Sequence, residues 1–373
     1  IPYILKIITI IGAITAFFAS TIGLMQNDVK RVIAYSTCSQ LGYMVFACGL
    51  SNYSVGFFHL FNHAFFKALL FLSAGSVIHA VADEQDMRKM GGLKNFLPLT
   101  YSMMTIGSLA LIGFPFLTGF YSKDVILEIA YSKYTQIGYF AYFLGTISAF
   151  FTAFYSTRLA YLTFLSKPNG YKSVLCYVSD SGIFISIALI GLSIPSIFIG
   201  YFLKDLIIGL GNSAFGTSIY IHESNLNMFD AENMSIFYKT LPVTLSLLGV
   251  ISAYSLYLLK SELLFKLKTF FVGRKIYTFL NRKWFFDKCY NEYFNQFFFK
   301  FGYSVSYKFI DRGIFEIIGP TGISLLLVNL GTKVHKMQTG FIYDYVFLIL
   351  IGITIELSYR QIVTFICLFL NHV

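Results

Sequence analysis

Long apolar runs separated by short polar turns fill most of the chain. Residues 2–26, 32–50, 55–80, 98–113, 136–165, 183–203, 236–260 and 341–370 each predict a transmembrane helix, because spanning a bilayer takes roughly 20 predominantly apolar residues. The run at 32–50 is unusually polar, with Ser36, Thr37, Ser39 and Gln40, so it is expected to pack against protein rather than lipid. The run that starts at 98 is interrupted by Gly113, Pro115 and Gly119, just before Lys123 and Asp124. Such a break is tolerated at membrane depth only where backbone is buried in protein or lines a wet cavity. Residues 211–235, with His222, Glu223, Asp230 and Glu232, predict an exposed loop.

Residues 284–318 follow another pattern. Phe286, Tyr290, Tyr293, Phe294, Phe297 and Phe301 recur every three or four positions, with Asp287, Lys288, Asn291, Glu292, Asn295, Gln296 and Lys300 on the opposite face. This is an amphipathic helix of about 50 Å, longer than a bilayer core and too polar to cross it, expected to lie flat along the membrane or neighbouring helices. Gly319-Pro320 interrupts it, and a further helical piece is expected to run to 337. The pattern as a whole predicts an all-α polytopic membrane protein with broken helices, a long lateral amphipathic helix and a terminal transmembrane helix.

Composition agrees. Of 373 residues, 56% are hydrophobic and 12% charged, against about 25% charged in soluble domains. Mean hydropathy is +0.68. The net charge of +10 is scattered over the loops, which suits anchors beside anionic lipid and not a nucleic-acid surface. Cys38, Cys48, Cys176, Cys289 and Cys367 form no CxxC pair or metal spacing and read as lone thiols without a disulfide framework. The chain opens on Ile1 directly into a span, with no signal-peptide pattern, so its start reads as the middle of something longer. No dinucleotide fingerprint, P-loop, iron–sulfur cysteine cluster or nucleophile–base arrangement is present, so no cofactor is expected on this chain.

Two constellations carry candidate chemistry. His59, His63 and Lys67 lie four residues apart within the run 55–80. Each step of four turns a helix by about 40°, so the three share one stripe, with Asn62 close by. Ionisable groups at that depth are costly and mark ion or proton paths; the alternative is three satisfied core residues. The second constellation is Lys123–Asp124 beside the break, whose alternative is a loop in headgroup water. Arg158, near the end of its span, is expected to snorkel to the interface. Glu356 and Arg360, at i and i+4, are expected to neutralise each other.

The stretches LMQNDVKRVIAYSTCSQLGYM (24–44), FHLFNHAFFKALLFLSAGSVIHAVADEQDMRKMGGL (58–93) and LIGFPFLTGFYSKDVILE (111–128) closely resemble the chain 5 family of mitochondrial NADH:ubiquinone oxidoreductase, the distal antiporter-like membrane subunits of respiratory complex I. RKWFFDKCYNEYFNQFF and IDRGIFEIIGPTGIS resemble that family's lateral helix, and the likeness runs through nearly the whole chain. The resemblance implies two inverted five-helix repeats followed by extra helices. Residues 1–30 correspond to the last helix of the first repeat and 31–165 to the second antiporter-like repeat with its proton half-channel. Residues 166–283 correspond to additional helices and a loop, 284–338 to the lateral helix and 339–373 to the terminal anchor. The rest of the first repeat, with the family's Glu–Lys pair at the inlet half-channel, has no counterpart here. A separate polypeptide carrying that half, or a longer parent chain, is therefore expected.

Residue by residue, the resemblance implies that Lys30 links the half-channels, that His59, His63 and Lys67 form the central hydrophilic axis, and that Lys123 with Asp124 serves the outlet half-channel. It implies proton translocation across the mitochondrial inner membrane, coupled to chemistry on other subunits that hold NADH, FMN, iron–sulfur clusters and ubiquinone. Implied partners are the other membrane-arm subunits, especially the adjacent antiporter-like chain 4, clamped by the lateral helix, and membrane lipids such as cardiolipin. Two other readings stand beside it: the large subunit of a multi-subunit sodium/proton antiporter, and a structural piece of the membrane arm that conducts nothing.

Overall fold

The structure, a computed structural model, describes residues 2–209, 214–216, 218–219 and 228–370; of residues 228, 261 and 365–370 the backbone alone is described. Of the predicted loop 211–235, His222 and Glu223 therefore lie outside the described residues, and Met228–Glu232 is a short helix. The Cys367 side chain is likewise outside them; Cys38, Cys48, Cys176 and Cys289 are free thiols. The chain divides into two compact units, Ile1–Phe286 and Asp287–Val373.

In the first unit, helices α1 (Pro2–Met25), α2 (Val29–Gly49) and α3 (Tyr53–Ala80) run up and down with short turns between them. α1 and α2 meet through small residues. A Cβ on Gly42 would stand 2.6 Å from the Ala16 nitrogen, and one on Gly12 would stand 2.5 Å from that of Phe46. Without an aqueous drive between helices in lipid, this close backbone approach supplies the packing energy. α2 buries its polar side, with Ser36, Ser39 and Gln40 at most 1% exposed. It is not among the seven helical runs that are long and apolar enough to cross a membrane among the described residues.

α4 (Pro98–Ile112) has proline in its first turn, where no intrahelical N–H is lost. Its free N-terminal groups are met from elsewhere in the chain. The Asp180 carboxylate accepts from Leu99 N (3.3 Å), Thr100 N (3.4 Å) and Thr100 Oγ1 (2.9 Å). The helix stops at Gly113, whose φ of +85° closes it in the left-handed conformation. Residues 113–117 are non-helical; the chain re-enters a helix at Thr118 and passes through a wide π turn, Phe120–Asp124, that continues into α5 (Val125–Ser132). Thr118 ties the break to its neighbour by donating to the Pro195 carbonyl (3.2 Å). Then follow α6 (Gln136–Ala160), the four-residue α7 (Lys172–Leu175), α8 (Ile183–Ile207), α9 (Met228–Glu232) and α10 (Ile236–Tyr254). Two short helices, α11 (Ser261–Thr269) and α12 (Phe271–Asn281), complete the run.

The connections at one end of this unit are knitted together. Val29 N donates to Gln85 O and Met87 N to Asn27 O, both at 3.0 Å, pinning the charged loop 81–97 to the turn at 26–28. The Asp86 carboxyl, bonded by the Arg88 guanidinium, is held below the ordinary carboxylate range. Arg158 does not snorkel as expected. It is 3% exposed, and its guanidinium donates to Leu24 O (2.7 Å), Gln26 O (2.7 Å) and Asn27 Oδ1 (2.9 Å). The unmet carbonyls at the end of α1 draw it inward. Between α12 and the next helix, Lys283, Trp284 and Phe285 all have φ between +55° and +59°. Trp284 fills this left-handed turn by stacking on Phe279 (5.3 Å between centroids) and meeting Phe18 edge-on (5.1 Å).

The second unit is helical through Ile318, with wide turns over Tyr290–Asn295 and Gly302–Phe315. After Gly319 the chain resumes as Pro320–Lys336 and ends in Ile342–Leu370. The polarity of its first turns does not extend along the whole run: within Lys283–Lys336 one 18-residue window reaches a mean hydropathy of 1.6, as apolar as the spans. Glu356 and Arg360 form the expected ion pair, at 2.8 Å.

The close contact of α1 and α2 is open to test. Gly42→Ala is expected to cost about 1–3 kcal/mol through overpacking, read as a lower thermal unfolding midpoint in detergent. Gly75→Ala, where nothing lies within 4 Å, should leave the midpoint unchanged or slightly higher.

Candidate functional site

The i, i+4 stripe of α3 faces inward. His59 is 0% exposed, Asn62 0%, His63 7% and Lys67 4%. The polar side of α2 runs antiparallel to it and supplies partners in reverse order. Gln40 Oε1 lies 3.1 Å from His59 Nε2, and Lys67 Nζ donates to Ser36 Oγ. Because an amide oxygen only accepts, His59 carries its proton on Nε2 and leaves Nδ1 as acceptor. Ser122 Oγ, in the π turn, stands 2.9 Å from that Nδ1. The rings of His59 and His63 are 6.1 Å apart, centroid to centroid.

The next residue along the π turn, Lys123, is 1% exposed and donates to Thr152 Oγ1 on α6 (3.1 Å). Thr152 sends its own proton to Ala149 O (2.7 Å), which leaves its lone pairs for the ammonium. The Tyr43 ring of α2 lies beneath Lys123 Nζ, 5.4 Å from nitrogen to centroid, in cation–π range. Tyr43 is fixed by donating its hydroxyl proton to Gly145 O (2.6 Å), with Ser148 Oγ also at 2.6 Å. The row thus draws on α2, α3, the π turn and α6.

Four buried side chains along the row keep polar atoms without a protein hydrogen bond: Nε2 of Gln40, both amide atoms of Asn62, Nε2 of His63 and Oδ2 of Asp124. Asp124 also borders a cavity of about 490 Å³ that is lined by Glu128, Lys204, Asp205, Glu232 and Lys239. Glu128, one turn beyond Asp124, is paired loosely with Lys239 at 3.9 Å.

The structure brings together His59, His63, Lys67, Lys123 and Asp124. It does not bring Lys30 to them: Lys30 is exposed in the first turn of α2, beside the Asp28–Arg31 ion pair. Sequence reasoning read the polarity of Ser36 and Gln40 as packing against protein, without placing them beside His59 and Lys67. It missed Ser122, Thr152, Tyr43, Glu128 and Lys239. The four-residue spacing of Ser148, Thr152 and Ser156, and of Asp124 and Glu128, was the available signal. Among the described residues no three His, Cys, Asp or Glu side chains converge as a metal ion would require.

A family described as "NADH:quinone oxidoreductase/Mrp antiporter, TM" matches residues 1–157, and one described as "NADH dehydrogenase subunit 5 C-terminus" matches residues 155–359. NADH-ubiquinone oxidoreductase chain 5 of Phytophthora infestans is 57% identical over 93% of this chain and 52% of its own length. The protein of the same name from Marchantia polymorpha is 55% identical over 96% of this chain and 54% of its own length. A chain of the membrane-bound sulfane sulfur reductase, an archaeal respiratory membrane complex, is 27% identical over 52% of this chain and 32% of that one, with a TM-score of 0.47. The chain spans about half the length of the curated relatives it matches. It is a multi-pass membrane protein and belongs to the NADH dehydrogenase subunit 5 family.

Proposed function

We propose that this chain conducts protons through the membrane as part of an NADH:ubiquinone oxidoreductase. The observation that carries the reading is the buried row from Lys67 to Asp124, built of groups that both give and take protons and ending at a cavity lined by carboxylates and lysines. On this reading a proton moves from Lys67 past His63 to His59, whose ring takes it up at one nitrogen and releases it at the other. It continues through Ser122 to Lys123 and leaves by Asp124 and Glu128. The polar atoms left unpaired on Gln40, Asn62 and His63 mark where bridging water completes the row. Two charges about 10 Å apart interact by roughly 1.7 kcal/mol at an effective dielectric near 20. Occupancy of one site therefore changes that of the next by more than about tenfold.

Charge supplies a direction. The end of the first unit that gathers residues 28–31, 81–97, 166–182 and 260–285 carries Lys30, Arg31, Arg88, Lys89, Lys94, Lys167, Lys172, Lys260, Lys266, Lys268, Arg274, Lys275, Arg282 and Lys283. Against them stand Asp28, Asp83, Glu84, Asp86, Asp180 and Glu262. The opposite end, with the cavity, carries Lys6, Lys133, Lys204 and Lys239 with Glu128, Asp205, Asp230 and Glu232. Basic loops stay on the side from which a membrane protein is inserted. The cavity then opens on the far side, the intermembrane space if the membrane is the mitochondrial inner one.

The same reading assigns NADH, FMN, iron–sulfur clusters and ubiquinone to other subunits, and makes an adjacent antiporter-like subunit a neighbour of this chain. A sodium/proton antiporter is the second reading, since the description matched at residues 1–157 names an Mrp antiporter beside the oxidoreductase. The match over 155–359 favours the oxidoreductase, and co-purification with flavin and iron–sulfur subunits discriminates between them.

In the assembled complex reconstituted into vesicles, Lys67→Ala and Lys123→Ala are expected to lower the proton-to-electron ratio while the complex still assembles. An unchanged ratio in an assembled variant removes that residue from the path. Glu128→Gln, which keeps the shape but not the charge, is expected to slow proton release with NADH oxidation by detergent-solubilised complex retained. Normal acidification beyond the membrane in that variant would exclude Glu128 from the outlet.

A further inference from the structure

After α10 the chain does not leave the membrane region at once. α11 and α12 lie at the basic end of the first unit, and Gln26 Nε2, just past the end of α1, donates to Asn281 O at 3.2 Å. This fixes α12 level with the ends of the spans. α12 packs on α1 but leaves an apolar face open: Phe271 is 69% exposed, Val272 50%, Ile276 51% and Phe279 39%, and Phe270 before it 65%. Lys266, Arg274, Lys275 and Arg282 border that face, all exposed. Lys275 Nζ sits 4.2 Å from the Phe271 ring centroid, a cation–π contact that keeps its charge beside the apolar face. Glu262 is the single acidic residue from 260 to 286.

We infer that α11 and α12 form an interfacial surface that binds the anionic lipids of one bilayer leaflet. An exposed aromatic and aliphatic face bordered by basic side chains, held at span-end level, inserts to the boundary of headgroups and acyl chains. The nearly unopposed positive charge selects phosphate-bearing headgroups with net negative charge over zwitterionic ones. A protein partner would meet the same apolar face, but the charge on its border points to the leaflet.

Trp284 is the one tryptophan of the chain and stacks on Phe279, at the edge of this surface. The full chain is incorporated into phosphatidylcholine nanodiscs containing an equal minor fraction of either brominated phosphatidylglycerol or brominated phosphatidylcholine. Quenching of Trp284 fluorescence is then read. The expected result is about two-fold stronger quenching by the anionic brominated lipid. The excess should disappear in the double variant Arg274→Glu, Lys275→Glu. It should also disappear for the unaltered chain at high salt, where the Debye length shrinks to about 3 Å, a control that does not depend on the variant folding. Equal quenching by the two lipids, an excess that survives both charge reversal and salt, or no quenching by either lipid overturns the inference.

Discussion

A basic side chain inside an apolar slab has to find its hydrogen-bond partners on neighbouring helices, since lipid offers none. That requirement organises the first unit. Lys67 is met by Ser36 and Lys123 by Thr152, and His59 bridges Gln40 and Ser122. The partners come from α2, the π turn and α6, so these segments and α3 are held in one register by the needs of three basic groups. The polarity of α2, costly on a lipid-facing helix, follows from its place against this row.

The break between α4 and α5 serves the same end. A continuous helix would carry Ser122 and Lys123 through the bilayer with ordinary spacing. The left-handed stop at Gly113 and the wide π turn instead present Ser122 to His59 and Lys123 to Thr152 in succession. The two half-helices are secured at their outer ends by contacts remote in sequence, Asp180 on α4 and Lys239 near α5. The interruption is thus local, within a frame tied at both ends.

Much of this was legible in the sequence, for reasons that differ by residue. Periodicity alone put His59, His63 and Lys67 on one face, because the helical repeat relates them without knowledge of the neighbours. The glycines and proline at 113–119 announced the break, since each opposes a helix by its own backbone. The fate of Arg158 was not legible. Its position near the end of a span suggested water, whereas its partners are carbonyls more than a hundred residues away in the chain. The same holds for Lys30, for which the motif suggests a place in the path and the structure an exposed rim. Partner residues such as Ser122 and Thr152 are ordinary in composition and acquire a role through tertiary contact alone. The polar character of 284–301 likewise hid the apolar window farther along the same helical run.

The grip of Arg158 on the turn after α1 has a consequence for how this part of the chain can vary over generations. Two of its three acceptors are main-chain carbonyls, and the bonds from Val29 to Gln85 and from Met87 to Asn27 are also main chain on both sides. Every residue type carries a carbonyl, so spelling in the turn is free to drift wherever the main chain alone is used; the exceptions are Gln26, Asn27 and Asp28, whose side chains bond Asn281, Arg158 and Arg31. Its length is not free: an insertion or deletion there would misalign several backbone acceptors together, and the lineage should show substitutions at 24–28 far more readily than gaps.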